Sequence, residues 1–294
     1  MNLEHLSSSR AEKVRALLGL TGGALSELLA KGLPELLHRR QAERIRRPDR
    51  QRAGGGGRRR RRNPYQEVLL TLLYLRHNVA QAVVGERFGV SADTSENTFQ
   101  EVGFVLRDVC PAQRWNAEKQ GKKGEPSWTP DTVERALIDS FESPGRRPSR
   151  QARQKRVSSG KKKRHTLKRQ GVTDAQGEIL ALDAGQRGPT ADKRLSDQST
   201  VEEHYPNTQQ QGDLADQGIA GVSVPHKKPK GGRLTEEPRA EKRRLAAGRG
   251  PVEHGIRRIT GWRIVRDDDR LALGLFPLIA STVVGLVQLV RLVA

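Results

Sequence analysis

The sequence predicts a mixed α/β domain, sheet flanked by helices, behind an N-terminal all-α domain of helix-turn-helix type. Three observations carry that expectation. From Arg135 onward, short apolar runs of strand length (RALIDSFE, HTLKRQGVTD, GEILALD, GDLADQG) alternate with helix-compatible stretches. Upstream, residues 64–107 read as three helices, with the glycine-bearing turn FGVS between the second and the third. The whole is strongly basic: 54 Lys and Arg against 34 Asp and Glu, with a pI near 10.8, which points to a polyanionic partner. Nucleic acid is the simplest such partner, and an acidic membrane surface is its rival.

Residues 1–38 are expected to form short amphipathic helices, with Leu17, Leu18, Leu20, Leu25, Leu28 and Leu29 as the apolar stripe. Residues 39–63 read as an arginine-rich linker or arm. Twelve arginines lie between Arg39 and Arg62, and Gly54 to Gly57 interrupt any helix. Arg58, Arg59, Arg60, Arg61 and Arg62 are its densest part and are candidate phosphate contacts. In the helix-turn-helix region, 64–110, Pro64 opens EVLLTLLYLR and a second helix covers about Val79 to Phe88. Gly89 supplies the turn, and Ser91 caps a third helix reaching Leu106. Asp93, Thr94 and Asn97 fall near the start of that helix, where a recognition helix meets base edges. Residues 111–132, polar and proline-bearing with Trp115 and Trp128, mark the boundary to a second domain over 133–294.

In that second domain RALIDSFE reads as a short strand ending in acid. Two further strands are joined near Gln176–Gly177, and a polar, helix-compatible stretch covers 190–204. GDLADQG is expected to be a strand ending in Asp216, followed by helices over about Glu236 to Ala247 and Val252 to Thr260. Asp139, Asp216 and Glu253, spaced 77 and 37 residues apart, would then sit on two strands and a flanking helix. Carboxylates converge in so basic a chain with good reason only if they hold a cation. Hard oxygen ligands suit Mg²⁺ or Mn²⁺, and two ions ~4 Å apart are the usual device for phosphodiester chemistry. Read singly, Asp139 could equally cap a helix and Glu253 be a surface charge. Lys161, Lys162, Lys163 and Arg164, in a basic tract between the first two acids, would grip phosphates or form a solvated hairpin tip. His165 and His254 are possible ligands but more often structural.

Cys110 is the single cysteine, so no intramolecular disulfide forms, in keeping with a reducing compartment. The first residues, MNLEHLSSSRAEK, lack the apolar core of a secretion signal. The apolar end, 271–294, is broken by Pro277, Gln288 and Arg291 and is expected to be a buried helix rather than a membrane span.

The segments SGKKKRHTLKRQ, LADQGIAG with PHKKPKGGRLTEE, and VEHGIRRITGWRI closely resemble DDE transposases of bacterial insertion sequences. LLTLLYLRHN and ERFGVSADT resemble the helix-turn-helix which that family carries ahead of its catalytic domain, so the resemblance runs from about Val14 to Leu292. It implies an RNase H-like catalytic fold, Mg²⁺-dependent strand cleavage and strand transfer, with Asp139, Asp216 and Glu253 as the catalytic, metal-holding acids. It also implies double-stranded DNA as partner, both element ends and target, assembly as a homo-oligomer on that DNA, no membrane, and a cytoplasmic, nucleoid-associated place of action. Arg249, four residues before Glu253, matches a DNA-contacting arginine of related transposases. The chain departs from the pattern at Ser158, Ile219, Thr260 and the run Asp267 to Asp269. Thr260 replaces a basic residue expected to touch phosphate, so the copy is intact in its acids and weakened in DNA contact. A metal-dependent endonuclease without strand transfer, and a DNA-binding copy without catalysis, remain the alternatives.

Overall fold

The computed structural model describes residues 11–46, 60–110, 133–145, 147–182, 186–187, 189–190, 208–212, 222–224, 235–267 and 275–293. The chain divides into two compact units. Met1–Pro111, Gly261–Ile264 and Ser281–Ala294 form a helical unit, and Ala112–Thr260 with Val265–Ala280 form a unit built on a sheet.

The helical unit begins with α1 (Ala11–Leu18) and α2 (Gly22–Arg46). Next is α3 (Pro64–His77), which starts where it does because Asn63 and Gln66 form a reciprocal capping box and Pro64 fills the first helical position. Asn78, in the left-handed region at φ 50°, ends it. Helices α4 (Gln81–Phe88) and α5 (Ala92–Val109) are separated by a tight turn. Gly89 sits there at φ 63°, which favours glycine. Ser91 then accepts the Thr94 N–H at 3.2 Å and launches α5. The core joins Val14, Leu18, Leu25, Leu28, Leu36, Leu69, Leu72, Val102 and Leu106, and the Tyr74 and Phe99 rings meet edge to face at 4.8 Å. Two later segments complete it. Trp262 is buried beside Arg76, whose Nη1 donates to the Gly261 carbonyl at 2.6 Å. The terminal helix, introduced below, adds Val283, Val284 and Leu286, with the Thr282 hydroxyl directed at the Gly103 carbonyl.

In the sheet unit, β1 (Arg135–Pro144) is central. Helix α6 (Gln151–Val157) and the two-residue β2 (Ser158–Ser159) lead into β3 (Arg164–Asp174). Strands β4 (Ile179–Leu182), β5 (Gln186–Arg187), β6 (Gln209–Gln211) and β7 (Val222–Ser223) follow. β1 runs antiparallel to β3 and parallel to β6. β6 is parallel to β7, and β2, β4 and β5 all pair antiparallel with β3. The β3–β4 turn is held by Asp174, whose Oδ1 accepts the Gln176 and Glu178 N–H groups at 2.9 and 2.7 Å. Period-two alternation splits β1 between two faces. Ala136 and Ile138 join Val172, Leu180, Ala181 and Val133 in the core, whereas Leu137, Asp139 and Phe141 face the other way. Helices α7 (Glu236–Ala247), α8 (Gly250–Thr260), α9 (Arg263–Arg266) and α10 (Phe276–Leu292) end the chain.

Several local readings differ from the sequence expectation. The arginine-rich stretch expected as a linker from Arg39 is helical as far as Arg46, because carboxylates from other helices pair with Arg39 and Arg40. β1 does not end at its acid: Asp139 lies mid-strand, since pairing with β3 carries Ser140, Glu142 and Ser143 along the ladder. β6, at Gln209–Gln211, is not among the strands the sequence predicts, and the strand expected at GDLADQG falls on residues 213–218, outside the described residues. Asp216, residues 191–204 of the polar stretch and the boundary segment 111–132 are outside the described residues. Ser281 to the end groups with the helical unit, not with the rest of 133–294. Among the described residues no helix is long and apolar enough to cross a membrane.

Candidate active site

Helix α8 lies against the β1–β3 face that carries Asp139. Gly171, the register partner of Asp139, leaves room for Ile256: a Cβ there would stand 3.2 Å from Ile256 Cγ1. Gly255 sits closer still, its absent Cβ 2.7 Å from Thr173 Cγ2. At the helix start, Arg249 Nη2 pairs with Asp139 Oδ1 at 3.2 Å, and the Arg249 carbonyl accepts the Glu253 N–H at 3.3 Å. Arg249, Glu253 and Ile256 are spaced four and three residues apart, so they share one helix face. Glu253 is therefore bracketed by two residues that touch Asp139 or its partner. It is solvent-exposed and in the first turn of α8, where the helix dipole favours a carboxylate. Asp139, its side chain 22% exposed, also accepts the Ser140 N–H at 3.0 Å.

The basic groups are spread out. Lys161, Lys162 and Lys163 form the exposed β2–β3 turn, with Arg164 at the start of β3. The Ser159 hydroxyl and carbonyl take the Lys162 and Lys163 N–H groups and shape that turn. Arg164 is seven residues from Gly171 along β3, roughly 23 Å at ~3.3 Å per residue, so this tip does not flank Asp139. In the helical unit Thr94 and Asn97 are exposed on α5, and Asp93 beside them. Arg58 and Arg59 lie outside the described residues. Arg60, Arg61 and Arg62 are described and line a cleft beside α5.

Residues 138–291 match the family model described as DDE superfamily endonuclease. The chain belongs to that family. Residues 63–111, which span α3 to α5, match the helix-turn-helix of DDE superfamily endonuclease, a domain that implies DNA binding. A curated relative, the probable transposase for insertion sequence element IS702 of Microchaete diplosiphon, is 28% identical over 228 residues, covering 75% of this chain and 78% of its own. The chain is thus similar to a transposase over three quarters of its length. No solved structure matches it.

DDE superfamily endonucleases generally use divalent metal ions. Among the described residues no three His, Cys, Asp or Glu side chains gather as a metal site, and neither His165 nor His254 joins such a group. The donors that are described fit a hard cation. Asp139 and Glu253 offer hard carboxylate oxygens on packed elements, and Arg249 is paired with Asp139 at 3.2 Å.

Several residues that hold each of the two units together internally are not marked by the sequence. Arg169, 1% exposed within β3, donates from Nη1 to Ser143 Oγ at 2.6 Å and to the Val265 carbonyl at 2.9 Å, so it is a buried tie and not a phosphate contact. Gln211 Nε2 donates to the Leu245 carbonyl at 2.8 Å and fastens β6 to the end of α7. Arg40 is 9% exposed and reaches Glu67 at 2.6 Å and Glu101 at 2.7 Å. Burial opposes ionisation of Glu101, but the bonds and charges of Arg40 and Arg60 outweigh it and hold its carboxyl below the ordinary range. The apolar flanks of Glu67, in EVLL, are the one sequence signal that could have marked it as buried and paired.

Proposed function

We propose that this endonuclease is an active transposase. It binds the terminal repeats of its element through α5 and cuts and rejoins DNA strands at Asp139, Asp216 and Glu253. The observation that carries the reading is the Arg249–Asp139 ion pair at 3.2 Å, which brings the Glu253 turn of α8 to the Asp139 strand. The strand order β4–β3–β1–β6–β7, with β1 antiparallel to β3 and parallel to β6, supports an RNase H-like arrangement. The second acid, Asp216, follows the last residue of β6 by five positions in the sequence.

Two Mg²⁺ or Mn²⁺ ions held by the acids would supply Lewis-acid stabilisation of the attacking and leaving oxygens. Asp139 and Glu253 hold negative charge on facing elements, and Arg249 balances part of it until substrate arrives. Arg249 then offers its guanidinium to a phosphate oxygen near the scissile bond. Water is the first nucleophile, and the freed 3′-hydroxyl the second, attacking target DNA. Lys161, Lys162, Lys163 and Arg164 hold the flanking duplex, and Thr94 and Asn97 read base edges. Synapsis of two ends calls for a homo-oligomer on the DNA, and this chemistry belongs in the cytoplasm on the nucleoid. The working division is a reader over 64–110 and a catalytic part from 133 onward.

The test incubates purified protein with Mg²⁺, labelled duplex carrying the element ends, and a supercoiled target plasmid. Cleaved ends joined to the plasmid are expected. Asp139→Ala, Asp216→Ala and Glu253→Ala should each abolish cleavage and leave duplex binding near wild type. Cleavage without joining would make the protein an endonuclease only. Binding without cleavage in wild type would make it a catalytically dead copy.

A further inference from the structure

Beside the cap end of α5 lies a cleft of about 380 Å³ whose walls include Arg60, Arg61, Arg62, Glu67, Ser91 and Thr94. Its charges are not balanced. Glu67, the carboxylate in the wall, is taken by Arg40 at 2.6 Å and Arg60 at 3.2 Å, and Arg60 also meets Glu101 at 3.0 Å. Arg40 and Arg60 together thus offset Glu67 and Glu101. Arg61 and Arg62 are left with no carboxylate partner among the described residues, and Arg62 Nε is shielded from solvent without a hydrogen-bond acceptor. A shielded guanidinium N–H with no acceptor is costly unless an anion completes it. Ser91, the cap of α5, also lines the cleft, and the first N–H groups of α5 add positive potential beside it. Asp93 and Thr94, exposed in the first turn, place the cleft beside the surface that would face the DNA groove.

We propose that this cleft seats a single backbone phosphate of duplex DNA, shared by Arg61, Arg62 and the capped end of α5, and so sets the register at which α5 enters the groove. The proposal rests on the DNA-binding reading above. Arg60 is a positioning residue in it: its two ion pairs hold the arginine tract against α3 and α5, and its charge is already spent.

The experiment measures anisotropy of a fluorescent 30-base-pair duplex bearing the element's terminal sequence, with full-length protein, between about 50 and 200 mM salt. Wild type, Arg61→Ala, Arg62→Ala, the double variant and Arg62→Lys are compared. One shared phosphate predicts that the double variant lowers the slope of log K against log salt by about 0.9 and weakens binding about tenfold. Arg62→Lys should keep the slope and lose affinity, because lysine lacks the planar fork. A methylphosphonate scan of the duplex should then find one linkage whose neutralisation weakens wild type and leaves the double variant unaffected. A slope loss of about 1.8 would assign each arginine its own phosphate and overturn the seat. Equal sensitivity of both proteins at every linkage would overturn it too. Failure of wild type to bind the duplex even at low salt would sink the DNA reading itself, a result distinct from loss of the seat alone.

Discussion

Replacing Gly255 with alanine should move Glu253 without touching any proposed catalytic group. The new Cβ would stand 2.7 Å from Thr173 Cγ2, against roughly 3.5–4.0 Å for ordinary carbon contact. About 1 Å must come from somewhere. Thr173 is buried on β3 and, being β-branched, has few rotamers to retreat into. The helix therefore yields, and Glu253 two residues away rides with it. Overpacking of this kind costs about 1–3 kcal/mol, partly offset by up to ~1 kcal/mol of helix propensity gained on leaving glycine. A displacement of ~1 Å at a reacting site is worth about 10²-fold in rate. The variant should thus melt within a few degrees of wild type and cleave element-end duplex about a hundredfold more slowly. Thr173→Ser removes the offending methyl and keeps the hydroxyl, so Gly255→Ala with Thr173→Ser should recover most of the loss. Single-turnover cleavage and thermal melts of the four proteins decide it. If Gly255→Ala cleaves at the wild-type rate, close seating of α8 does not position Glu253 and the reasoning fails.

Two further outcomes concern the helical unit. Arg40→Ala strands Glu67, whose side chain is 4% exposed, with Arg60 as its remaining neighbour, and should cost about 3–5 kcal/mol in chemical denaturation. A loss under 1 kcal/mol would mean that water reaches the pair. Burial, with help from the Arg76 and Arg263 charges and against the bond to the Leu17 carbonyl, lowers the pKa of His77. The unfolded chain therefore takes the proton first, and stability should fall as pH drops through about 6.5. Glu101 and Asp108, both held below the ordinary carboxyl range, add stability that is present above about pH 4 and lost as pH falls through their lower folded values. Melting temperature against pH should thus show an early decline that His77→Gln removes and a later one that it does not. An unchanged early decline in His77→Gln would place its origin elsewhere.

The helix-turn-helix was legible because its signals are local. Pro64, Gly89 and Ser91 act through their own backbone within one turn, and the apolar spacing of α3 needs only the 3.6-residue period. The limits of α7 and α8 and the turn near Gly177 were legible for the same reason. The basic balance of the chain likewise pointed to a polyanion before any fold was known. Partnerships between distant residues were not legible. Arg39, Arg40 and Arg60 look identical in sequence to any solvated arginine, yet carboxylates up to 69 residues away decide their burial and their charge. Arg169 reads as one more cation of a basic segment until Ser143 and the Val265 carbonyl enclose it. Gln209–Gln211 has no apolar pattern and becomes a strand only because β1 offers a parallel edge. The motifs around Asp139 and Glu253, and the resemblance they carry, marked these two acids as candidates. The close seating of α8 on the sheet depends on two missing side chains, at Gly171 and Gly255, and such steric fit is a property of both surfaces together.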